Sequence, residues 1–374
     1  MLITSARVLT IALSSIAIGV LSTDQASRRS PGEPIRWNQC LRQTPEWYSS
    51  DEAVRVADNL LLYQRMSGGW DKNVDMAVVL SESQKLELIK QKAINNSNID
   101  NGATYTQLTF LARVYSARRL LRHKEAFIRG LDYLLAAQYD NGGWPQYYPE
   151  AKGYSRHITF NDGAMIGVLT LLRDIAEREV VYRFVDETRR TSALRSVRKG
   201  IECVLRTQIV VQGRATVWCS QHAARTLAPA AARTFEPISL SAGESTGIVR
   251  FLMSIDQPGK QVIEAIENAL HWFRISKLTG IRWVEIRDPA NPNDFDRVVV
   301  NDPDAGPIWA RFYQIGTNRP IFAGRDGVVR YNVAEIGKER RTGYQWYVVA
   351  PLNLLETEYP AWMRRLRRRD NGKD

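Results

Sequence analysis

Apolar residues recur at helical spacing along the chain. Leu108, Leu111, Ala112 and Tyr115 form one set, Phe127, Ile128, Leu131, Leu134 and Leu135 a second, and Leu194, Val197, Ile201, Val204 and Leu205 a third. Such spacing predicts amphipathic helices. Apolar stretches end in Gln64, Gln138 and Gln208, and a few residues past each comes a tryptophan: Trp70, Trp144 and Trp218, separated by 74 residues and then 74 again. That regularity predicts three copies of one unit, a helical hairpin followed by a loop. The loops read Gly68-Gly69-Trp70-Asp71-Lys72-Asn73, Gly142-Gly143-Trp144-Pro145-Gln146-Tyr147-Tyr148 and Thr216-Val217-Trp218-Cys219-Ser220-Gln221. Glycine after a helix supplies the left-handed turn that ends it, and a tryptophan can pack back on the helix ends while its N–H finds a partner.

A second series interleaves with the first, at predicted helix starts: Asp100-Asn101-Gly102-Ala103-Thr104, Asn161-Asp162-Gly163-Ala164-Met165 and Glu244-Ser245-Thr246-Gly247-Ile248. Plain capping accounts for one such site, because Asp and Asn are favoured there and complement the helix dipole. Three equivalent sites carry a further implication. If the hairpins close around an axis, their starts collect on one face and the carboxylates converge on a common cleft.

The repeats run from about 50 to 255 without a low-complexity linker, so one helical domain with a modified C-terminal part is expected. Valines and prolines over 281–301, and alternation over 321–336, predict short strands there. At the other end, Arg7 precedes an apolar run from Val8 to Leu21, shorter than the roughly 20 residues a membrane span needs. It reads as a secretory signal over 1–26, followed by a linker or extension over 27–49, the main domain over 50–360 and a basic tail over 361–374. A secreted or periplasmic monomer without stable membrane association is expected. Export permits disulfides, and Cys40, Cys203 and Cys219 allow one intramolecular bridge at most.

The net charge of +11 invites a polyanionic partner. Part of the excess, Arg364, Arg365, Arg367, Arg368 and Arg369, lies in a run expected to be solvated. No nucleic-acid-binding signature is present, and an anionic polysaccharide or a membrane surface is the expected partner of an exported basic protein. Arg233, Arg311, Arg325 and Arg341 lie near aromatic residues. An arginine fork grips a carboxylate bidentately and a ring offers a face for a sugar.

Together, the Gly-Gly-Trp-Asp-Lys-Asn run at 68–73, Asp100-Asn101-Gly102-Ala103-Thr104, Asn141-Gly142-Gly143-Trp144-Pro145-Gln146, Thr159-Phe160-Asn161-Asp162, Arg233 with Phe235-Glu236-Pro237, Pro307-Ile308-Trp309-Ala310-Arg311-Phe312-Tyr313 and Arg341-Thr342-Gly343-Tyr344 resemble the polysaccharide lyase family 10 pectate lyases. The resemblance spans roughly 55–347. It implies an all-α fold, an (α/α)3 toroid of three helical hairpins with long loops and a few short C-terminal strands. It also implies calcium-dependent cleavage of polygalacturonate by β-elimination, with Asp100 and Asp162 holding the calcium and Arg233 as the base.

Elimination removes the proton on C5 beside the galacturonate carboxylate, and a cation must neutralise that carboxylate first. Calcium takes oxygen ligands at about 2.3 to 2.6 Å, and substrate would complete the shell. A guanidinium is normally counted as permanently protonated. Either Arg233 is transiently neutral, helped by nearby cations, or a water or hydroxide is the base and Arg233 orients it. Lys72, Asn101, Arg311, Arg325 and Arg341 are expected to bind substrate, with Trp144 as a sugar platform, although packing of each loop is the shared duty that the tryptophan repeat suggests.

Asp71 stands where the family usually has proline, and Ala230-Ala231-Ala232 precedes Arg233 where an aromatic often sits, which bears on subsite contacts. Two rivals remain. A helical-toroid glycoside hydrolase would use Asp100 with Asp162 or Glu244 at about 5 to 9.5 Å, and a noncatalytic binding protein would keep the arginines without turnover. A zinc-dependent toroid is disfavoured, since His123, His157, His222 and His271 have no ligand spacing.

Overall fold

The computed structural model describes residues 35–370, so the expected signal segment and residues 371–374 lie outside the described residues. Seven helices build the repeated part: α1 (Asp51–Tyr63), α2 (Tyr105–Arg118), α3 (Leu121–Ala136), α4 (Ala164–Ala176), α5 (Glu187–Thr207), α6 (Ala242–Met253) and α7 (Lys260–Ser276). Three hairpins form, α2 with α3, α4 with α5 and α6 with α7. First helices touch first helices, and second helices touch second helices, from one hairpin to the next. Among the described residues helix α1 has no first partner. It stands where a second helix would, packed on α2 and α3.

The glutamines and tryptophans explain why the units repeat. Each indole N–H donates to a carbonyl of the preceding helix: Trp70 to Leu60 at 2.9 Å, Trp144 to Leu134 at 2.8 Å and Trp218 to Val204 at 2.7 Å. Each glutamine amide donates twice, to its own loop and to the following second helix. Gln64 reaches Gly68 O and Ala126 O, Gln138 reaches Gly142 O and Ser196 O, and Gln208 reaches Thr216 O and Ala265 O, all within 3.0 Å. Gly68 and Gly142 have φ of +100° and +92°, and an added Cβ would strike the backbone of Arg129 and Lys199 respectively. Only glycine lets loop and next helix meet so closely.

A fourth tryptophan completes the set. Trp309 donates to Phe273 O of α7 at 2.8 Å. It lies farther along the chain because an antiparallel hairpin, β1 (Ile281–Asp288) and β2 (Asn291–Asn301), is inserted ahead of it. The base of that insertion is closed by reciprocal backbone bonds between Leu278 and Ile308, at 2.8 and 3.0 Å. This hairpin is longer than the short strands expected. Two-residue strands also lie among the helical units, where Gln221–His222 pairs with both Ile158–Thr159 and Pro229–Ala230.

Two expected boundaries change. The basic tail is instead the end of a packed helix, α9 (Tyr359–Asp370), after the short α8 (Lys338–Gly343). Trp362 is buried on the core and Leu366 packs against it, so an apolar stripe between the arginines holds the segment down. Residues 35–49 also belong to the folded body: Trp37 meets Phe110 edge-on at 5.5 Å, and Arg113 donates to Leu41 O at 2.8 Å. The three cysteines are buried thiols, so the bridge that export would permit is absent. Among the described residues no helix is long and apolar enough to cross a membrane.

Candidate active site

Three helix starts meet at one end of the hairpins. The turn Asp100–Gly102 before α2 contacts the turn Asn161–Gly163 before α4, and that turn contacts α6. Asn98, Thr159 and Ser241 donate their N–H groups to the carbonyls of Trp70, Trp144 and Trp218. Three residues on from each stand Asn101, Asp162 and Glu244. The left-handed residues of the two turns agree, Asn101 at φ 48° and Asp162 at φ 50°. Asp100 therefore corresponds to Asn161, one place from the equivalence with Asp162 expected from sequence. The two carboxylates still face a shared space: burial and then their charges push the Tyr105 hydroxyl up to about 12.

Asp100 is buried. Its Oδ2 accepts from Lys72 Nζ at 2.5 Å and from Gln146 Nε2 at 2.6 Å, while Oδ1 is buried with no hydrogen-bond partner. Asp162 Oδ2 accepts from Asn161 Nδ2 at 2.6 Å, and Oδ1 lies 3.6 Å from Arg311 Nη2. Burial raises the Asp162 carboxyl above its usual range against the pull of Arg311, and Glu244 and Asp100 add to the rise. Positive charge is short at this point. Asp100 Oδ1 and Asp162 are hard oxygen donors of the kind calcium takes. Among the described residues no group of three or more His, Cys, Asp or Glu is placed to hold a metal ion.

Arginines form the opposite wall. Arg311 donates to Glu244 Oε1 at 2.6 Å, and Glu244 also takes the Ser241 hydroxyl. Burial would lower the Arg311 guanidinium, but Glu244, Tyr344 and Asp162 outweigh it and hold the charge on. Arg233 is 43% exposed at its side chain, and its fork donates to Glu236 at 2.9 and 2.5 Å. A cavity of about 320 Å³ opens beside Lys72, lined also by Arg36, Trp37, Asn73 and Asn101.

This order of motifs on this scaffold has relatives. The family model described as pectic acid lyase matches residues 64–355. The chain belongs to the pectic acid lyase family. It is similar to the family 10 polysaccharide lyase of Cellvibrio cellulosa, with 32% identity over 83% of this chain and 93% of that one and a TM-score of 0.68. A mutant of that enzyme in complex with trigalacturonic acid matches with the same identity and coverage and a TM-score of 0.69. No curated protein matches. The protein is a polysaccharide lyase.

Within this lyase, Lys72, Asp100, Asn101, Asp162, Arg233 and Arg311 stand around one space, and three other expected contacts fare differently. Trp144 is fully buried with its indole N–H bonded to Leu134, so it cannot stack on a sugar; that expectation is corrected to a packing role. Arg341 is turned away to the inserted hairpin, donating to Asp296 at 2.9 and 2.5 Å. Arg325 pairs with Glu339 at the surface, 6.0 Å from the Phe235 ring, and so stands at the rim. Asp71 keeps its negative charge and is fixed in place by neutral donors, accepting from the amides of Asn96 and Asn98 at 2.7 and 3.1 Å and from the Lys72 N–H. Sequence reading missed Gln146, Glu236 and Tyr344, all inside quoted motifs. Their buried contacts to Asp100 and Arg233 were the signal, and those appear only in three dimensions.

Proposed function

We propose that this lyase cleaves α-1,4-linked polygalacturonate by calcium-dependent β-elimination, releasing 4,5-unsaturated oligogalacturonides. The observation that carries the reading is the unpartnered buried Asp100 Oδ1 beside Asp162, facing a wall of arginines. Asp100 and Asp162 would hold the calcium, which when bound neutralises a substrate carboxylate and so acidifies the neighbouring C5 proton. Lys72 and Arg311 bind uronate carboxylates, with Asn101 as a neutral contact at the mouth and Arg325 at the rim. Arg233 is half exposed and faces the same space, where it is placed to act at C5. The leaving oxygen takes its proton from solvent. We further propose a secreted or periplasmic monomer with a catalytic body of 35–370, whose hairpins form the toroid that the resemblance implies.

Incubation of the purified chain with polygalacturonate at alkaline pH tests this. Ultraviolet absorbance from the product double bond should grow with calcium and stop with a chelator. A hydrolase would release reducing ends with no absorbance, and a noncatalytic binder would release neither; either result sinks the proposal.

A further inference from the structure

Five of the six positions from Arg364 to Arg369 are arginine, and the cleft uses none of them. They lie on α9, beyond the residues 64–355 that match the family. On that helix Tyr359, Trp362, Met363 and Leu366 recur at helical spacing and pack on the core, with Trp362 only 2% exposed. At roughly 100° per residue, Arg364 and Arg368 fall opposite this stripe and Arg367 to one side of it. All three are exposed, and among the described residues none of them is engaged in an ion pair. Arg365 has a different duty: it donates to Met253 O at the C-terminus of α6 at 3.0 Å and helps to fix the helix.

A second element adds to this face. Arg274 of α7 is exposed and lies 5.9 Å over the Tyr359 ring, and Arg367 is close enough to act on the same phenol. One carboxylate, Glu267, stands near them, while Glu358 is taken up by Arg250 at 2.7 Å. Like charges at i, i+4 oppose the helix that carries them, and Arg364 and Arg368 are such a pair. The apolar stripe holds them together all the same. An anionic ligand laid along the face would remove the opposition.

We propose that the outer face of α9, with Arg274, is a second, noncatalytic binding surface for polygalacturonate that keeps the enzyme on the polymer between encounters at the cleft. The choice of polyanion rests on the lyase reading above. Guanidinium forks match the carboxylates that recur along a polyuronate. Glu244 at the start of α6 belongs to the cleft, whereas Met253, which Arg365 touches, ends the same helix about 14 Å further on. The two surfaces are therefore separate. A chain released from one is held near by the other, which raises its effective concentration. A lipid bilayer suits this face less well, because no large apolar side chain of α9 is exposed to enter it.

The test compares the full chain with two triple variants. One carries Arg364→Gln, Arg367→Gln and Arg368→Gln, and a charge-matched control carries Arg195→Gln, Arg198→Gln and Lys199→Gln at exposed positions of α5. On immobilised polygalacturonate with a chelator present, the α9 variant should elute at lower salt than both wild type and control. Its KM for polygalacturonate should rise about tenfold, the combined effect of three exposed charge pairs, with kcat unchanged. Calorimetric binding of trigalacturonic acid, too short to reach past the cleft, should stay as in wild type and report an intact fold. Equal elution of the two variants means retention by net charge alone and overturns the proposal, as does an unaltered KM or a matching loss of trigalacturonic acid binding. If the variants elute alike but only the α9 variant loses binding to phosphatidylglycerol vesicles, the face is a membrane anchor and the proposal falls. A wild type that makes no unsaturated product, yet is held through the α9 arginines, defeats the lyase reading and leaves this surface standing. An active wild type whose α9 variant elutes with the control defeats this surface alone.

Discussion

His222 shows how a single buried side chain supports the site without touching substrate. Its Nδ1 lies 2.9 Å from Leu227 O, and its Nε2 accepts from the Cys219 N–H at 3.2 Å. A carbonyl can only accept and an N–H can only donate, so the ring must be neutral with its proton on Nδ1. The ring therefore clasps the loop that leads from Trp218 toward Arg233. Burial pushes the imidazole down to about 4, against a smaller opposing effect of the Leu227 carbonyl. The folded value lies below the unfolded one, so this contribution is present above about 6.5 and is lost as pH falls from there through about 4. Across that window the protein should lose about 3 kcal/mol on this account. Urea unfolding at pH 7, 5 and 4 should show the loss in wild type and a flatter profile in His222→Gln. Equal slopes in the two proteins would remove His222 from the account.

At the scale of elements, the glutamine that ends each second helix does what a covalent staple would do, joining a loop to the next unit. Gln138→Ala strips partners from Gly142 O and Ser196 O, two carbonyls at the seam between α3 and α5. Leaving buried acceptors unpaired costs about 1 to 3 kcal/mol. Chemical denaturation should therefore show a loss of about 2 kcal/mol, and the same change at Gln208 should cost a similar amount because its two bonds are alike. A neutral result at both positions would mean that water replaces the amide. These features were legible in the sequence because each lies within one unit, where glutamine, glycine and tryptophan keep their spacing. Trp309 escaped the pattern because an inserted hairpin lengthens its unit. The equivalence of Asp162 with Asn101 escaped because the two matching turns, Asp100–Gly102 and Asn161–Gly163, carry their acidic residue at different places. Glu236 sits three residues after Arg233 in plain view, but its burial depends on Tyr344, 108 positions further on.

Over the whole molecule, basic charge outside the α9 face divides into arginines that line the cleft and arginines that hold distant segments together. Arg341 belongs to the second group, and so does Lys338, which donates to Asp294 at 2.5 Å. Through these two bonds the inserted hairpin grips α8, and α8 leads directly to Tyr344. Arg340, also on α8, lies 4.6 Å over Phe235 beside Arg233. The hairpin thus braces one wall of the cleft from outside. None of the described side chains of its strands is fully buried, although Ile281, Trp283 and Val299 pack on the core from outside, and its base is already closed by Leu278 and Ile308. Replacing 281–301 by a short Gly-Asn turn should then leave a cooperatively folding protein, because loop closure over a shorter span is cheaper and only the partly buried Ile281, Trp283 and Val299 are lost from the edge of the core. Circular dichroism should find the helices intact and the melting temperature lower by a few degrees, in line with about 1 to 2 kcal/mol from the lost ion pairs and the Trp283–Tyr347 contact. Activity should fall further than stability, by about tenfold, because Tyr344 and Arg340 lose their brace. Removing only the charges, with Asp294 and Asp296 replaced by asparagine in an otherwise whole hairpin, separates brace from bulk: if that variant keeps full kcat, the hairpin acts by its presence and not through Lys338 and Arg341.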